Sequence, residues 1–188
     1  MGANESKQSA KLSNADIEFL KAQTNYDEKT LRKKFRGFRH VCPSGCLTSG
    51  QFYDMYEKNF PGGNAEKYCN LVFKTFDTDQ NGYIDFNEFL LATYRQESGN
   101  NETKLKLAFQ MYDLDKNGAI DLQEMTNCIQ AIYDMIGSNA RQPIESAEVR
   151  AKSIFSQMDK NKDGGLTEEE FLQGCLLDHE LSKALVPQ

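Results

Sequence analysis

Apolar residues recur along this chain with the period of a helix, and each run stops at an aspartate. Cys69, Val72, Phe73 and Phe76 fall at i, i+3, i+4 and i+7, and Asp77 follows at once. Leu105, Ala108, Phe109 and Tyr112 repeat the pattern ahead of Asp113, and Ala151, Ile154, Phe155 and Met158 repeat it ahead of Asp159. Such a stripe is the inward side of an amphipathic helix. A polar segment follows each one, and Phe89, Met125 and Phe171 then open the inward side of a second helix. Each unit reads helix–loop–helix, which predicts an all-α fold.

The polar segments are DTDQNGYIDFNE from Asp77, DLDKNGAIDLQE from Asp113 and DKNKDGGLTEEE from Asp159. Each fits D-x-[DN]-x-[DN]-G with an acid at the twelfth place. Their starts are 36 and 46 residues apart, and a related segment, HVCPSGCLTSGQ from His40, begins 37 residues before Asp77. Four units at near-regular spacing form an internal repeat. Their eighth places hold Leu47, Ile84, Ile120 and Leu166. A branched apolar residue there suits a short strand pairing with a neighbouring loop, so the units should associate two by two. QESGNNE, from Gln96 to Glu102, marks the joint, dividing the chain into an N-terminal pair (1–98) and a C-terminal pair (99–188). IGSNARQPIESAE, from Ile136 to Glu148, accounts for the longer step and reads as an exposed connection.

Oxygen donors at alternate loop positions suit a hard divalent cation, above all calcium, which takes six to eight oxygens at about 2.3–2.6 Å. The second loop offers the side chains of Asp77, Asp79 and Asn81, the Tyr83 carbonyl, Asp85 directly or through water, and Glu88 with two oxygens. The third offers Asp113, Asp115, Asn117, the Ala119 carbonyl, Asp121 and Glu124; the fourth offers Asp159, Asn161, Asp163, the Gly165 carbonyl, Thr167 and Glu170. Three calcium sites are therefore expected. Magnesium competes at resting calcium levels, although a bidentate twelfth Glu disfavours its tighter octahedron. The first loop keeps Gly45 and Leu47 but has His40, Cys42, Ser44 and Gln51 at places one, three, five and twelve. With no anion, and with Pro43 stiffening its backbone, it is expected to bind no metal and to serve the paired fold. A redox role for Cys42 is the alternative.

Charge changes the picture next. The net charge of −6 excludes DNA and RNA as main partners. Residues 1–40 nonetheless carry nine Lys/Arg against five Asp/Glu, a basic head on an acidic body. The five cysteines form no CxxC, and no apolar segment resembles a secretory signal or a membrane span, so a cytoplasmic, reducing setting is expected. Only two histidines are present, with no P-loop, nucleophile elbow or dinucleotide glycine pattern, so no enzyme is expected. MGANESK fits the N-myristoylation pattern, with Gly2 as acceptor and Ser6 in place. One acyl chain holds a membrane only marginally, so a second signal is needed. EKTLRKKFRGFRH can supply it: Lys33, Lys34 and Arg36 face anionic lipid, with Leu31, Phe35 and Phe38 on an apolar side. A plain solvated helix face is the alternative.

With these features the chain resembles the neuronal calcium sensor family, the EF-hand group that includes recoverin, frequenin, neurocalcin and visinin-like proteins. The resemblance is carried by MGANESK, CPSG at Cys42–Gly45, FP at Phe60–Pro61, KLKLAFQMYDLDKNG at Lys104–Gly118 and AIYDMIG at Ala131–Gly137. It implies four EF-hands in two pairs, a non-binding first loop, N-myristoylation at Gly2, and calcium-dependent attachment to membranes and target proteins. The chain departs from the family in having no Trp, with Leu107 where one often stands before the third loop, and in carrying Arg39 at a place often apolar. Unlike recoverin, it keeps all three later loops intact. An apolar groove for a target's amphipathic helix is expected from Phe35, Phe38, Phe52, Met55, Tyr56, Phe60, Phe73, Phe76, Phe86 and Leu90, each of which could equally be plain core. The C-terminal Leu177, Leu181 and Leu185, one turn apart, either cover that groove or pack as a last helix. A calcineurin-B-like regulatory subunit and a passive calcium buffer are the rival readings.

Overall fold

A computed structural model of the chain describes residues 11–58, 63–136 and 145–177. The four repeats are helix–loop–helix units. The first is α2 (Glu28–Val41), β1 (Cys46–Thr48) and α3 (Ser49–Glu57); the second is α4 (Glu66–Phe76), β2 (Tyr83–Asp85) and α5 (Phe86–Ser98). The third is α6 (Asn101–Tyr112), β3 (Ala119–Asp121) and α7 (Leu122–Ile136); the fourth is α8 (Ala147–Met158), β4 (Gly165–Thr167) and α9 (Glu168–Leu177). The predicted stripes are buried throughout, from Cys69 to Phe76, Leu105 to Tyr112 and Ala151 to Met158. Side-chain caps fix the starts: Asp27 accepts from Thr30 N–H, Asn100 from Thr103 N–H and Ser146 from Val149 N–H.

The eighth-place residues do what their branching predicts. Leu47 lies opposite Ile84 in an antiparallel pair β1–β2, and Ile120 lies opposite Leu166 in β3–β4. All four are at most 1% exposed, so each little sheet is also an apolar pin between two loops.

An additional helix precedes the repeats. In α1 (Asn14–Gln23), Ser13 and Asp16 cap each other reciprocally, and Ile17 and Leu20 are buried. Asp16 Oδ1 accepts from Asn87 Nδ2 at 3.3 Å, and the Tyr94 hydroxyl accepts from Asn25 N–H at 3.1 Å, which ties this segment to α5.

The two pairs are packed together, not merely tethered. The helix α4 lies against both α6 and α7, and α5 lies against α6. Asn64 N–H donates to Asp134 O at 2.8 Å, and Lys67 Nζ meets Asp134 Oδ2 at 3.2 Å. The predicted joint is short: α5 runs to Ser98, and Asn100 already caps α6. Of the predicted connection 136–148, residues 137–144 lie outside the described residues.

Candidate metal centres

In the second loop, Asp77 ends α4 and turns its carboxylate inward. Its Oδ1 accepts from Asn81 N–H at 3.0 Å and its Oδ2 from Gly82 N–H at 2.9 Å. Asp79 Oδ1 accepts from Asn81 N–H at 3.1 Å, and Asn81 Oδ1 from Tyr83 N–H at 2.9 Å. Asp85 caps α5 by accepting from Glu88 N–H at 2.9 Å, and Glu88 Oε2 answers by accepting from Asp85 N–H at 3.0 Å. The other oxygen, Glu88 Oε1, reaches back across the loop to Thr78 N–H and Thr78 Oγ1, both at 2.8 Å, and to Asp79 N–H at 3.3 Å.

The third loop repeats this with Asp113, Asp115, Asn117, Asp121 and Glu124. Glu124 Oε1 takes Leu114 N–H at 2.8 Å and Asp115 N–H at 3.2 Å, while its Oε2 takes Asp121 N–H at 2.8 Å.

These bonds gather like charges. One oxygen each of Asp77, Asp79 and Glu88 lie within 4.8 Å of one another, and so do those of Asp113, Asp115 and Glu124. Oxygens bound to one calcium ion can be at most about 5 Å apart, so both groups fit that ion. Asp77, Asp113 and Glu124 are buried, and none of the ion pairs among the described residues involves any of these six acids. Three carboxylates gathered without a side-chain cation form a site short of positive charge. Burial pushes the Asp85 carboxyl up, against the lowering effect of the Glu88 N–H bond.

The fourth loop is looser. Asp159 accepts from Lys162 N–H at 2.7 Å and Gly164 N–H at 3.2 Å, one place earlier for the first bond than in the other loops. Asn161 stands at the third place, so its Nδ2 donates to Asp163 Oδ2 at 2.8 Å. Glu170 Oε2 is bonded to Thr167 N–H and Oγ1, at 3.1 and 2.9 Å. Among the described residues, groupings as tight as those of the second and third loops are confined to those two loops.

All three loops share a backbone device that their side chains do not announce. Gln80, Lys116 and Lys162, at the fourth places, have φ of 57°, 59° and 59°, and Gly82, Gly118 and Gly164 follow with φ of 84°, 91° and 87°. Two left-handed residues in three wind the loop around a centre. The first loop has Gly45 at φ 94° but Pro43 at its fourth place, where the ring holds φ near −65°. It therefore cannot copy the winding. What it keeps is the cap: Gln51 Oε1 accepts from Thr48 N–H at 3.0 Å, and Thr48 Oγ1 accepts from Gln51 N–H at 3.3 Å. Cys42 is buried, and burial pushes its thiol up, the opposite of an activated thiolate.

The residues expected to form a groove divide by burial. Phe38, Phe52, Phe73, Phe76, Phe86 and Leu90 are core, Phe35 and Tyr56 are half-buried against it, and Met55 is exposed. They do meet: Phe35 and Phe38 ring-pack on Phe86, and Phe52 packs on Tyr56, Phe73 and Phe76. Phe60 and Gly2 lie outside the described residues. Of the three basic-head cations, Lys33 and Arg36 are exposed, while Lys34 sits over the Tyr26 ring at 4.8 Å. No helix among the described residues is long and apolar enough to cross a membrane.

Comparison with known proteins agrees with this geometry. A family model described as an EF-hand domain pair matches residues 102–176, and a second one matches residues 43–96. Over 181 residues the chain is 41% identical to neuronal calcium sensor 1 of Lymnaea stagnalis and 42% identical to that of Aplysia californica. The alignments cover 95% of this chain and 95% of each relative. These relatives are calcium sensors and not enzymes, and their likeness spans both helix–loop–helix pairs. The chain belongs to the neuronal calcium sensor family of EF-hand proteins.

Proposed function

We propose that this calcium sensor binds three ions, in its second, third and fourth loops, and answers by opening apolar surface to a target helix and to membranes. The convergence of Asp77, Asp79 and Glu88, and of Asp113, Asp115 and Glu124, with none of them in an ion pair among the described residues, is the observation that carries it. The ligands are Asp77, Asp79, Asn81, Tyr83 O, Asp85 and Glu88; Asp113, Asp115, Asn117, Ala119 O, Asp121 and Glu124; and Asp159, Asn161, Asp163, Gly165 O, Thr167 and Glu170. A bound calcium ion supplies the positive charge that offsets the repulsion among these carboxylates.

The fourth loop is the weakest of the three. It has three carboxylates at ligand places where the others have four, and Glu170 lacks the cross-loop bonds of Glu88 and Glu124. Glu88 and Glu124 lie in the first turns of α5 and α7, so a shift of either carboxylate onto a ligand place moves its helix. Phe86 and Phe89 ride on α5, against Phe35 and Phe38 of α2, and a change in that contact opens the N-terminal pair. An amphipathic target helix then lays its apolar side against these rings. Myristate on Gly2, together with exposed Lys29, Lys33 and Arg36, gives reversible attachment to anionic membranes.

Calorimetric titration of the chain with calcium should count three ions, and the count should drop to two in Glu124→Gln. An unchanged count in the variant would remove the third loop from the ligand assignment. Cosedimentation of the myristoylated protein with phosphatidylserine vesicles, with and without calcium, tests the membrane arm against a Gly2→Ala control.

A further inference from the structure

The last turn of α2 carries a guanidinium with one stranded nitrogen. Arg39 Nη1 is buried with no hydrogen-bond partner among the described residues, although the side chain as a whole is only half-buried. Arginine cannot shed its charge as a buried lysine can, and its donors need acceptors. Such a stranded donor is costly, more so for an ionised group than a neutral one. Folding therefore tolerates a defect here, at the apolar side of α2 and not on its solvated face.

The place is informative. Arg39 follows Phe35 by four residues and adjoins Phe38, so it sits one turn on from the ring that meets Phe86 edge-on at 5.0 Å. Neighbouring cations of α2 are already engaged: Arg32 pairs with Glu28 at 2.8 Å, and Lys34 lies over Tyr26. Exposed Lys33 and Arg36 keep the local field positive. A carboxylate approaching along the Phe35–Phe86 seam would thus be drawn in and would find a pre-placed donor fork.

We infer that Arg39 is a specificity-determining residue of the groove, selecting a target helix that carries a glutamate or aspartate at the border of its apolar side. This selectivity presupposes the calcium-opened groove proposed above. A helix with a purely apolar contact side leaves Nη1 stranded, whereas one with a correctly placed acid removes the defect and fixes its own register.

The test uses full-length protein in calcium and a series of amphipathic helical peptides. The parent has Leu and Phe on one side and Ala, Gln and Lys on the other; in each series member one Glu is walked along the border of the apolar side, with a Gln control at the same place. One Glu position should bind about tenfold or more tighter than its Gln control, the size expected of a charge-assisted bond. Arg39→Leu should erase that preference while holding or improving parent binding. Without peptide, Arg39→Leu should melt at a higher temperature than wild type; no rise would mean Nη1 is not stranded, and the inference falls. Binding of the parent with no favoured Glu position, or a preference that survives Arg39→Leu, also overturns it and leaves the groove standing. Failure of every peptide to bind in calcium overturns the groove itself and the inference with it. If Arg39→Leu raises the melting temperature only in the Asp178→Asn, Glu180→Gln background, the chain's own C-terminal segment is the partner, and the target-helix assignment is wrong.

Discussion

Gly63 stands where the two pairs of hands meet, and replacing it by alanine should loosen them. A Cβ on Gly63 would fall 2.6 Å from the Met135 carbonyl carbon, closer still to its oxygen, and 3.0 Å from Asp134 O. Those atoms belong to the last turn of α7, so no side chain can swing aside. The backbone must part by roughly an ångström to reach an ordinary contact, and the 2.8 Å bond from Asn64 N–H to Asp134 O cannot survive that. Forced overpacking costs about 1–3 kcal/mol, and the lost hydrogen bond adds about 1 kcal/mol. The exposed Lys67–Asp134 pair contributes at most about 1 kcal/mol more. A loss of about 2–4 kcal/mol corresponds to a fall in melting temperature of roughly 5–15 °C for a chain of this size. Calorimetry of calcium-free protein reads it, with Gly50→Ala as comparator, because a Cβ there meets nothing within 4 Å. Since α7 leaves the third loop and Gly63 leads into α4, which enters the second, Gly63→Ala should also weaken coupling between those loops in the titration. A melting temperature for Gly63→Ala within a degree or two of that of Gly50→Ala would refute the tight junction.

Four more outcomes are expected. Removing the bidentate carboxylate in Glu88→Gln should cost the second loop its ion while the third still fills, read as one ion fewer by calorimetry. Of the five cysteines only Cys46 is not buried, so a disulfide-exchange reagent at pH 8 should titrate one thiol quickly in the native protein and five in denaturant. Burial pushes the Cys128 thiol from an ordinary 9.0 up to about 12, so the unfolded chain releases this proton first; stability is complete below pH 9 and should fall as pH rises toward 12, less steeply in Cys128→Ala. Finally, His40→Asp, Cys42→Asp and Gln51→Glu together restore three carboxylates to the first loop, yet the variant should gain calcium binding only when Pro43 is also replaced by Lys; binding by the three-substitution protein would show that the left-handed fourth place is dispensable.

Much of the fold is legible in the sequence because one force writes it. Val72, Tyr112 and Met158 are buried where a period of 3.6 puts them, and Ile84 and Ile120 pin the loops where branching favours a strand. The acids of the loops are legible for the same reason that they could bind: no packing motive gathers so many carboxylates. Other features leave weaker traces. The helix α1 is announced only by Ser13 and Asp16, three residues apart, since its apolar side amounts to Ile17 and Leu20. The left-handed turns at Gln80, Lys116 and Lys162 fall on long polar residues with no intrinsic preference for them, so only the wound loop reveals them. The clasp of Asn64 on Asp134 joins residues seventy apart in sequence, beyond any periodicity. The aromatic set expected for a groove shows the limit of pattern: Phe52, Phe73 and Phe76 have the spacing of both a groove wall and a core, and in this conformation they are core.

The first loop shows what a hand must retain when it gives up its ion. The twelfth residue does two jobs in the second and third loops. Through Oε2 it caps the following helix, bonding to Asp85 N–H or Asp121 N–H, and through Oε1 it stands ready at the loop centre. Gln51 keeps the first job, taking Thr48 N–H at 3.0 Å, and its amide brings no charge to the second. The eighth residue likewise has a duty apart from metal, since Leu47 pairs with Ile84 and closes the core between two loops. Removing the first unit would strip the second loop of its strand partner and leave Ile84 and Phe86 facing water. A loop can thus lose every anion and still be required, because the cap and the pin are neutral devices. The charge and the left-handed fourth place are the parts of the hand that serve the ion and that the first loop has given up.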